Sequence, residues 1–382
     1  MKKIIAMILV LVMIAGVFAG CGAESKTESN AAIKIGMSGP LTGGAAVYGK
    51  AVQIGMEIAV EEINALGGLQ FELNCQDDEH DPEKAVNAYN NLKDWGMQIF
   101  AGTVTTAPGL AVAPLTAEDS IFMLTPSASG DNVAMAGENV YQLCFKDSDQ
   151  GFLSANYFMS KFPDAKIGVI YDSSDAYSAG IYASFAAQAA TNGQNVVCAE
   201  AFTADSKSDL STQVTKCQDA GAEIVYLPFY ATEAAQVLTY ANKIGYAPTF
   251  FGCDGMDGIL TTEGFDPALA EGLMMITPFS ADSADEATQS FVSKFMDKSG
   301  IVPNQFAADA YDVIYALYQA LTEAGATADM SAEELNTILM EQFSIMSFDG
   351  LTGSGMTWDE NGAVSKLPIA VVIKDGAYVG VQ

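Results

Sequence analysis

The sequence contains no arginine: all 17 of its basic residues are lysines, against 47 aspartates and glutamates. Without guanidinium groups, no side chain can bind a carboxylate or phosphate in the bidentate manner. An anionic ligand group would have to be held by hydroxyls, backbone N–H groups or helix N-termini. The formal net charge of −30 would repel polyanions. We therefore expect no nucleic-acid partner.

Histidine is almost absent, since His80 is the only one. It lies in the run DDEHDPE, which predicts a solvated acidic loop rather than a catalytic base. The sequence has no GxSxG nucleophile elbow, no GxxxxGK[ST] phosphate loop and no HExxH zinc motif. The acidic run also lacks the spacing of an EF-hand. We expect no enzymatic activity, no metal site and no cofactor.

Cysteine is sparse and follows no metal-binding pattern. Besides Cys21 there are five cysteines, none in a CxxC pair or near the histidine at ligand spacing. Three of them lie in apolar, strand-like runs, which favours buried thiols over a disulfide framework. A disulfide among the five stays open as the alternative; they are Cys75, Cys144, Cys198, Cys217 and Cys253.

The N-terminus has the pattern of an export signal. Two lysines precede an apolar run from Ile4 to Val17, and FAGC places small residues before Cys21. This resembles a bacterial lipoprotein signal, which implies cleavage before Cys21 and attachment of a diacylglycerol to its thiol. We expect a signal peptide over residues 1–20, a lipidated tether over 21–32 and an extracytoplasmic body anchored to the cell membrane. A transmembrane anchor is the weaker alternative, because the apolar run is short for spanning a bilayer.

From Ile33 onwards, apolar runs of strand length alternate with helical patterns. Helices are predicted from about Gly49 to Leu66, Pro82 to Trp95, Gly109 to Asp119 and Gln150 to Lys161, and the alternation restarts at Lys166. The mature chain of about 360 residues exceeds what one core usually supports. The sequence therefore predicts an α/β fold with two Rossmann-like lobes around central, mostly parallel sheets. A ligand cleft would lie beyond the carboxyl ends of the strands.

Five segments, in this order, resemble the leucine/isoleucine/valine-type solute-binding proteins of ABC transporters, which have the type I periplasmic-binding-protein fold. The segments are IKIGMSGPLTGGAAVYGKAVQIGMEIAVEEINALGG, AGTVTTAPGLAVAPLTAEDSIFMLTPSAS, AYSAG, YLPFYATEA and FGCDG. The resemblance implies a monomer that captures a branched-chain or related amino acid between its lobes by hinge closure and delivers it to a membrane permease. Two alternatives stay open: a ligand-sensing receptor of the same fold, and a binder of another small carboxylate or amide.

The resemblance also implies a three-crossing hinge. The N-terminal lobe would comprise residues 33–147 plus 278–352, and the C-terminal lobe residues 148–277 plus 353–382. The crossings are expected near Phe145–Gln150, Ile276–Ser280 and Asp349–Trp358.

Site residues follow from the same resemblance. The ligand's carboxylate would contact Thr106, with Thr105 as its neighbour, and the hydroxyl of Ser129. The ammonium group would be held at Ser127, Ser129 and Asp254, where the family often has glutamate. Considered alone, the threonines could simply cap a helix, and Asp254 could mark a turn.

Three tyrosines, Tyr48, Tyr177 and Tyr230, would form the walls of the site and close over the ligand. The last two follow strands of the second unit, which favours ligand contact over ordinary packing. The ligand's side chain would meet Val104, Thr105 and the helix at 305–311.

Overall fold

The computed structural model describes residues 31–381, and residues 32–382 belong to one compact unit. The predicted signal peptide, Cys21 and the tether up to residue 30 lie outside the described residues. Between residues 31 and 381, no helix combines the length and the apolar character needed to cross a membrane.

The first sheet is entirely parallel. Its strands are β1 (Ile33–Gly39), β2 (Phe71–Asp77), β3 (Ile99–Phe100), β4 (Phe122–Thr125) and β5 (Val140–Gln142), in the spatial order β2-β1-β3-β4-β5. The helices of this part of the chain are α1 (Ala46–Ala65), α2 (Pro82–Trp95), α3 (Thr106–Glu118) and the single turn α4 (Asp131–Ala134). We call the layers around β1–β5 the first lobe.

The second sheet has seven strands and a mixed edge. The helices of this region are α5 (Asp147–Lys161), α6 (Ala176–Thr191), α7 (Ser211–Asp219) and α8 (Ala231–Lys243). The strands are β6 (Lys166–Asp172), β7 (Asn195–Phe202), β8 (Ile224–Leu227), β9 (Thr249–Gly252), β10 (Met274–Thr277), β11 (Ile369–Lys374) and β12 (Ala377–Gly380), in the order β12-β11-β10-β9-β8-β6-β7. The pairs β10–β11 and β11–β12 are antiparallel, and the other pairs of this sheet are parallel. We call the layers around β6–β12 the second lobe.

After β10 the chain returns to the first lobe. It forms α9 (Glu286–Ser299), α10 (Gln305–Glu323) and α11 (Ala332–Phe343), of which α9 and α10 pack on α1 and α11 on β4. The contact between α1 and α10 is close, because a Cβ atom on Gly55 would lie 2.2 Å from the carbonyl oxygen of Ala307. The prediction of two lobes with mostly parallel sheets is confirmed.

Several helices begin about one turn earlier than the sequence predicts. α1 begins at Ala46 rather than Gly49, α3 at Thr106 rather than Gly109, and α5 at Asp147 rather than Gln150. The first turn of a helix needs no intrahelical N–H partner and therefore accepts proline and polar residues that interrupt an apolar pattern.

Lys366 is the one buried lysine in the part of the chain that the structure describes. Its Nζ atom donates to Asp309 Oδ1 at 2.6 Å and to Thr352 Oγ1 at 2.5 Å. Asp312, one turn further along α10, accepts the hydroxyl of Thr352 at 2.6 Å and the N–H of Leu351 at 2.8 Å. Burial raises the pKa of Asp309 to about 6, opposed by the charge of Lys366. This network fastens the segment that follows α11 to the first lobe.

The same segment covers the edge of the first sheet. Trp358 donates its indole N–H to the carbonyl of Gln142 at 2.8 Å, and its ring centroid lies 4.6 Å from that of Phe343. The N–H of Gln142 in turn donates to the carbonyl of Gly362 at 2.9 Å. Residues 348–366 therefore contact the first lobe before the chain enters β11.

We predict that Lys366→Met lowers the free energy of unfolding by about 3 kcal/mol or more at pH 8, because Asp309 is then buried without its cation. A carboxyl group whose pKa is raised on folding opposes folding increasingly as the pH rises from its unfolded-state pKa to its folded-state pKa. The loss should therefore be smaller at pH 5, where Asp309 is protonated. Urea unfolding at the two pH values measures both losses.

Lys298→Met is the matched control. It removes an exposed ion pair with Glu61, whose carboxylate oxygen lies 2.6 Å from Lys298 Nζ. Lys298→Met should lower the free energy of unfolding by less than about 1 kcal/mol at either pH. This account of the network would be contradicted if Lys366→Met lowered the free energy of unfolding as little as Lys298→Met does, or by the same amount at both pH values.

Candidate functional site

The two adjacent threonines lie at the junction of β3 and α3. Thr105 is the N-cap residue of α3, yet its side chain makes no capping hydrogen bond. Its Oγ1 atom lies 2.9 Å from Nδ1 of His80. Thr106 opens the helix, and its Oγ1 accepts the N–H of Gly130 at 3.1 Å. Both side chains are buried. Because the Thr105 hydroxyl makes no capping bond, the capping alternative is wrong for that hydroxyl.

The two serines after β4 differ in their hydrogen bonding. Ser127 donates its hydroxyl to the carbonyl of Val104 at 2.6 Å, which ties the loop after β4 to the loop after β3. Ser129 is buried, and its hydroxyl has no hydrogen-bond partner among the described residues. Its carbonyl accepts the N–H of Asp147 at 2.9 Å. Among the predicted serines and threonines, Ser129 is thus the one whose hydroxyl has no partner among the described residues.

On the second lobe, Asp254 follows β9 and is buried. Its Oδ1 atom accepts the hydroxyl of Tyr177 at 2.5 Å and the N–H of Gly255 at 2.7 Å. The N–H of Asp254 donates to Oε1 of Gln150 at 3.1 Å. Tyr177 of α6 and the N–H of Gly255 therefore hold the carboxylate, while Gln150 of α5 holds the main chain of the same residue.

Tyr48, Tyr177 and Tyr230 form a connected aromatic group between the lobes, which we call the tyrosine junction. The rings of Tyr177 and Tyr230 are stacked, with centroids 4.8 Å apart, and Tyr48 lies 5.3 Å from Tyr230. Tyr48, from the first lobe, donates its hydroxyl to the carbonyl of Gly255 at 2.6 Å and accepts the N–H of Ala231 at 2.9 Å. The junction thus joins the lobes in a closed arrangement.

His80 contacts this junction directly. Its ring lies 5.3 Å from the ring of Tyr230, edge to face, while Nδ1 meets Thr105. Burial, with a smaller effect of Lys207, lowers the pKa of His80 to about 4, so that the ring is neutral near pH 7. The prediction of a solvated acidic loop at His80 was wrong, because β2 delivers this residue to the same sheet edge as Thr105.

Two further residues at the start of α5 were not predicted as part of the site. Asp147 is fully buried, and neither carboxylate oxygen has a hydrogen-bond partner among the described residues. Gln150 holds Asp254 through its side-chain oxygen, while its Nε2 atom has no partner there. The sequence signal for both was the run DSDQ, which forms the first turn of α5 and is separated from β5 by four residues. It was missed because the helix was predicted to begin only at Gln150.

The electrostatics of the site are those of buried carboxyl groups with few cations nearby. Burial raises the pKa of Asp254 to about 6, in spite of the hydrogen bond from Tyr177. Burial also raises the pKa of Asp147 well above its usual range, and the charge of Asp254 adds to this effect. Lys207 approaches from the second lobe, but its Nζ atom is paired at 3.1 Å with Glu233. A cationic group placed between these carboxylates would be strongly stabilised.

The structure thus connects the predicted residues by short contacts. Thr105 contacts His80, whose ring meets Tyr230 of the tyrosine junction, and Tyr177 of that junction donates to the carboxylate of Asp254. The carbonyl of Ser129 accepts the N–H of Asp147 at the start of α5, and Gln150 of the same helix accepts the N–H of Asp254. Thr105, Ser129 and Asp254 are therefore linked through the tyrosine junction and α5. Within residues 31–381, no three side chains converge in the way a metal ion requires.

A separate groove of about 1190 Å³ lies beside the junction. It is lined mainly by apolar side chains of α1, α9 and the loop after β9, and none of the eight predicted residues contributes to it. Representative lining residues are Val47, Ile54, Leu260, Phe295 and Tyr378. The hydroxyl of Thr262 is the one buried polar group without a partner among its lining residues, and none of the predicted residues lies there, so we do not assign the ligand site to this groove.

Comparison with known proteins gives a consistent result. The sequence profile of the periplasmic binding protein family matches residues 32–377. A Leu/Ile/Val-binding protein homologue of Brucella melitensis is 31% identical over 309 residues, covering 78% of this chain and 81% of that protein. A leucine-, isoleucine-, valine-, threonine- and alanine-binding protein of Pseudomonas aeruginosa is 28% identical, covering 89% of each chain. The crystal structure of a leucine-binding protein from Thermotoga maritima superposes with a TM-score of 0.81 at 25% identity, covering 92% of this chain and 98% of that one.

We predict that Asp254→Asn stabilises the ligand-free protein at pH 8, on the order of 2 kcal/mol, because it removes a buried charge that has no cation. The amide oxygen can still accept the hydrogen bond from Tyr177. With a folded-state pKa of about 6, the penalty of wild-type Asp254 builds up between its unfolded-state pKa of about 4 and pH 6, so the gain should fall to about half at pH 5. Urea unfolding of both proteins at pH 8 and pH 5 tests this.

Asp164→Asn, at an exposed position before β6, serves as the control and should change stability equally at both pH values. Destabilisation by Asp254→Asn at pH 8 would show that the carboxylate is compensated within the protein itself.

Proposed function

Since the chain belongs to the periplasmic binding protein family, we propose that it is the extracytoplasmic solute-binding component of an ABC importer. It captures a free amino acid, branched-chain or related, between its lobes and delivers it to the membrane permease. The family consists of binding proteins, and we propose capture and release without any chemical reaction.

The buried polar groups without partners are the observation that carries this proposal. Gln150 accepts the N–H of Asp254, and both the hydroxyl of Ser129 and the charge of Asp254 act on the pKa of Asp147. The carboxylate of Asp147, the hydroxyl of Ser129 and Nε2 of Gln150 have no well-formed hydrogen bond among the described residues, which is costly for buried groups. The two neighbouring carboxylates would be stabilised by a cation. The hydroxyl and the amide N–H would each donate a hydrogen bond to an acceptor. An amino acid carries a cation and two acceptor oxygens on one carbon.

We place the ligand's ammonium group against Asp254, with Ser127 and Ser129 at its side. The carboxylate would lie at the N-terminus of α3, where Thr106 and its N–H group face the cleft beside Thr105. A helix N-terminus favours an anion through its free N–H groups and its dipole, which suits a chain without arginine. The tyrosine junction would cover the ligand, with Tyr48, Tyr177 and Tyr230 as its walls.

Hinge motion of the lobes would admit and release the ligand. Opening must separate Tyr48 from Gly255 and Ala231, and must break the hydrogen bond of 2.8 Å between the hydroxyl of Thr232 and the carbonyl of Gly44. We propose lobes of residues 33–147 plus 278–352 and of residues 148–277 plus 353–382. Within the second of these, residues 353–366 are the exception: Trp358 and Lys366 contact the first lobe, so we propose that the third crossing lies just before β11.

We further propose that the mature chain is a monomer held at the outer face of the cell membrane by a lipid on Cys21. The family is extracytoplasmic, and the N-terminal sequence has the pattern of a lipoprotein signal. Anchoring would keep the protein near its permease, and the net charge of −30 would keep it off anionic lipid surfaces.

The proposal predicts that free amino acids stabilise the protein against heat. At a hundredfold excess over the dissociation constant, a ligand that binds only the folded state adds roughly 3 kcal/mol. Leucine, isoleucine, valine, threonine and alanine should be tested first in a thermal-shift screen, because the relative from Pseudomonas aeruginosa is named for these five. The protein should first be unfolded and refolded to remove ligand that was carried through purification.

A shift with one or a few amino acids supports the proposal. If only carboxylates without an amino group stabilise the protein, the ammonium role of Asp254 is wrong while uptake of another solute remains. If neither class does, a sensing receptor for an unrelated ligand becomes the better interpretation.

We predict that Asp254→Ala weakens binding of the amino acid found in that screen by about 2 kcal/mol, about 30-fold or more. An ammonium group favours the ionised carboxylate, so wild-type protein should release about half a proton on binding at pH 6 and almost none at pH 8. Affinity should accordingly fall as the pH falls through about 6. Calorimetry in two buffers of different ionisation enthalpy measures both the affinity and the protons released.

Asp282→Ala, at an exposed position beyond the site, is the control and should leave affinity unchanged. Unchanged affinity in Asp254→Ala would place the ammonium group elsewhere, with Asp147 as the next candidate. A wild-type protein that releases no protons at pH 6 would mean that Asp254 is already ionised before the ligand binds.

A further inference from the structure

Two cysteines of the second lobe lie in contact. Cys198 lies on β7 and Cys217 on α7, and their Sγ atoms are 3.1 Å apart. Both are free thiols; Cys198 is partly exposed and Cys217 is buried. They are 19 residues apart in sequence, with a loop and the first turns of α7 between them. The other three cysteines of the described chain show no such pairing.

The backbone leaves room for both sulfur atoms. The register of β6 and β7 shifts between Ile167 and Gly168, so that Ile167 pairs with Val196 whereas Gly168 pairs with Cys198. This bulge sets the side-chain direction of Cys198, because a shift of one residue exchanges the two faces of a strand. A Cβ atom on Gly168 would lie 3.0 Å from Sγ of Cys198 and 3.1 Å from Sγ of Cys217. A larger residue there would crowd the pair.

The two thiols differ in reactivity. The hydrogen bond with Cys217 is the main cause that lowers the pKa of Cys198, whereas Cys217 has a raised pKa. Nearby, Glu200 is paired with Lys216, whose Nζ atom lies 2.7 Å from a Glu200 carboxylate oxygen. The partly exposed Cys198 is therefore the thiol that a reagent in solution meets first.

We propose that Cys198 and Cys217 are a redox pair that closes to a disulfide when the protein meets a small-molecule or protein disulfide outside the cytoplasm. The thiolate of Cys198 attacks one sulfur of the oxidant, forms a mixed disulfide and releases the first thiol. The thiolate of Cys217 then attacks Cys198 Sγ and releases the second thiol. The two cysteines lose two electrons and two protons, and the oxidant disulfide becomes two thiols.

The bond would join an exposed sheet edge to the helix that covers it. β7 is the last strand of the second sheet, and such edges open more readily than central strands. Closing a loop of about 20 residues restricts the unfolded chain and should raise the melting temperature by roughly 5 °C or more. The bond lies away from the tyrosine junction, so ligand binding should not depend on it.

Incubation of the purified, reduced protein with oxidised glutathione tests the proposal. Trypsin cuts only after lysine in this sequence, which separates Cys198 (peptide 167–207) from Cys217 (peptide 217–243) and from every other cysteine of the described chain. Mass spectrometry should find these two peptides linked, and thiol counting with a maleimide should show the loss of two thiols. Oxidation in denaturant should remove the preference for this pair.

Cys75→Ser is the matched control and should leave both the linkage and the rise in melting temperature intact, whereas Cys198→Ser and Cys217→Ser should each abolish both. A stable glutathione adduct on Cys198 without closure would overturn the proposal, as would linkage to another cysteine. Peptide mapping of the wild-type protein decides the matter by itself if a serine variant fails to fold.

Discussion

Buried carboxylates in a chain without arginine are the constraint on which this structure depends. A buried carboxylate needs a cation, hydrogen-bond donors or a proton. The one buried lysine of the described chain, Lys366, lies against Asp309 and fastens the C-terminal segment to the first lobe. No such lysine lies against Asp147 or Asp254. The buried lysine therefore stabilises the fold, whereas the carboxylates of the cleft can be neutralised only by a proton or by a cationic group from outside the protein.

The lack of a buried cation in the cleft explains why the lobes contact each other through tyrosines. A phenol supplies a large apolar face together with a hydroxyl that can donate and accept. Tyr48 bonds the main chain of the opposite lobe, Tyr177 holds Asp254, and Tyr230 stacks between them. The junction thus closes the cleft without adding charge. It also excludes water, which strengthens the interaction of the carboxylates with any cation placed among them.

The lobes, their parallel sheets and the segments at the strand ends could be predicted from the sequence, because apolar runs and helical periodicity reflect burial directly. The start of α5 could not, since the first turn of a helix tolerates polar residues, and Asp147 was missed for that reason. His80 was misread because composition alone cannot show that an acidic loop turns inwards beside Thr105. The pairing of Cys198 with Cys217 depends on a one-residue bulge, and register of that kind leaves no mark in composition or spacing.

The energetics of the cleft then follow from charge. Closing the lobes around Asp147 and Asp254 without a cation either buries charge or takes up protons, and both weaken the closed state at neutral pH. On the function proposed above, an ammonium group would remove that penalty only when the lobes are closed, since only then would Asp147, Asp254 and the hydroxyls of the first lobe surround it. A ligand with this charge would have a higher affinity for the closed state than for the open one, and that difference in affinity would drive closure. The unfavourable burial of the carboxylates would thus supply the free energy that couples binding to movement.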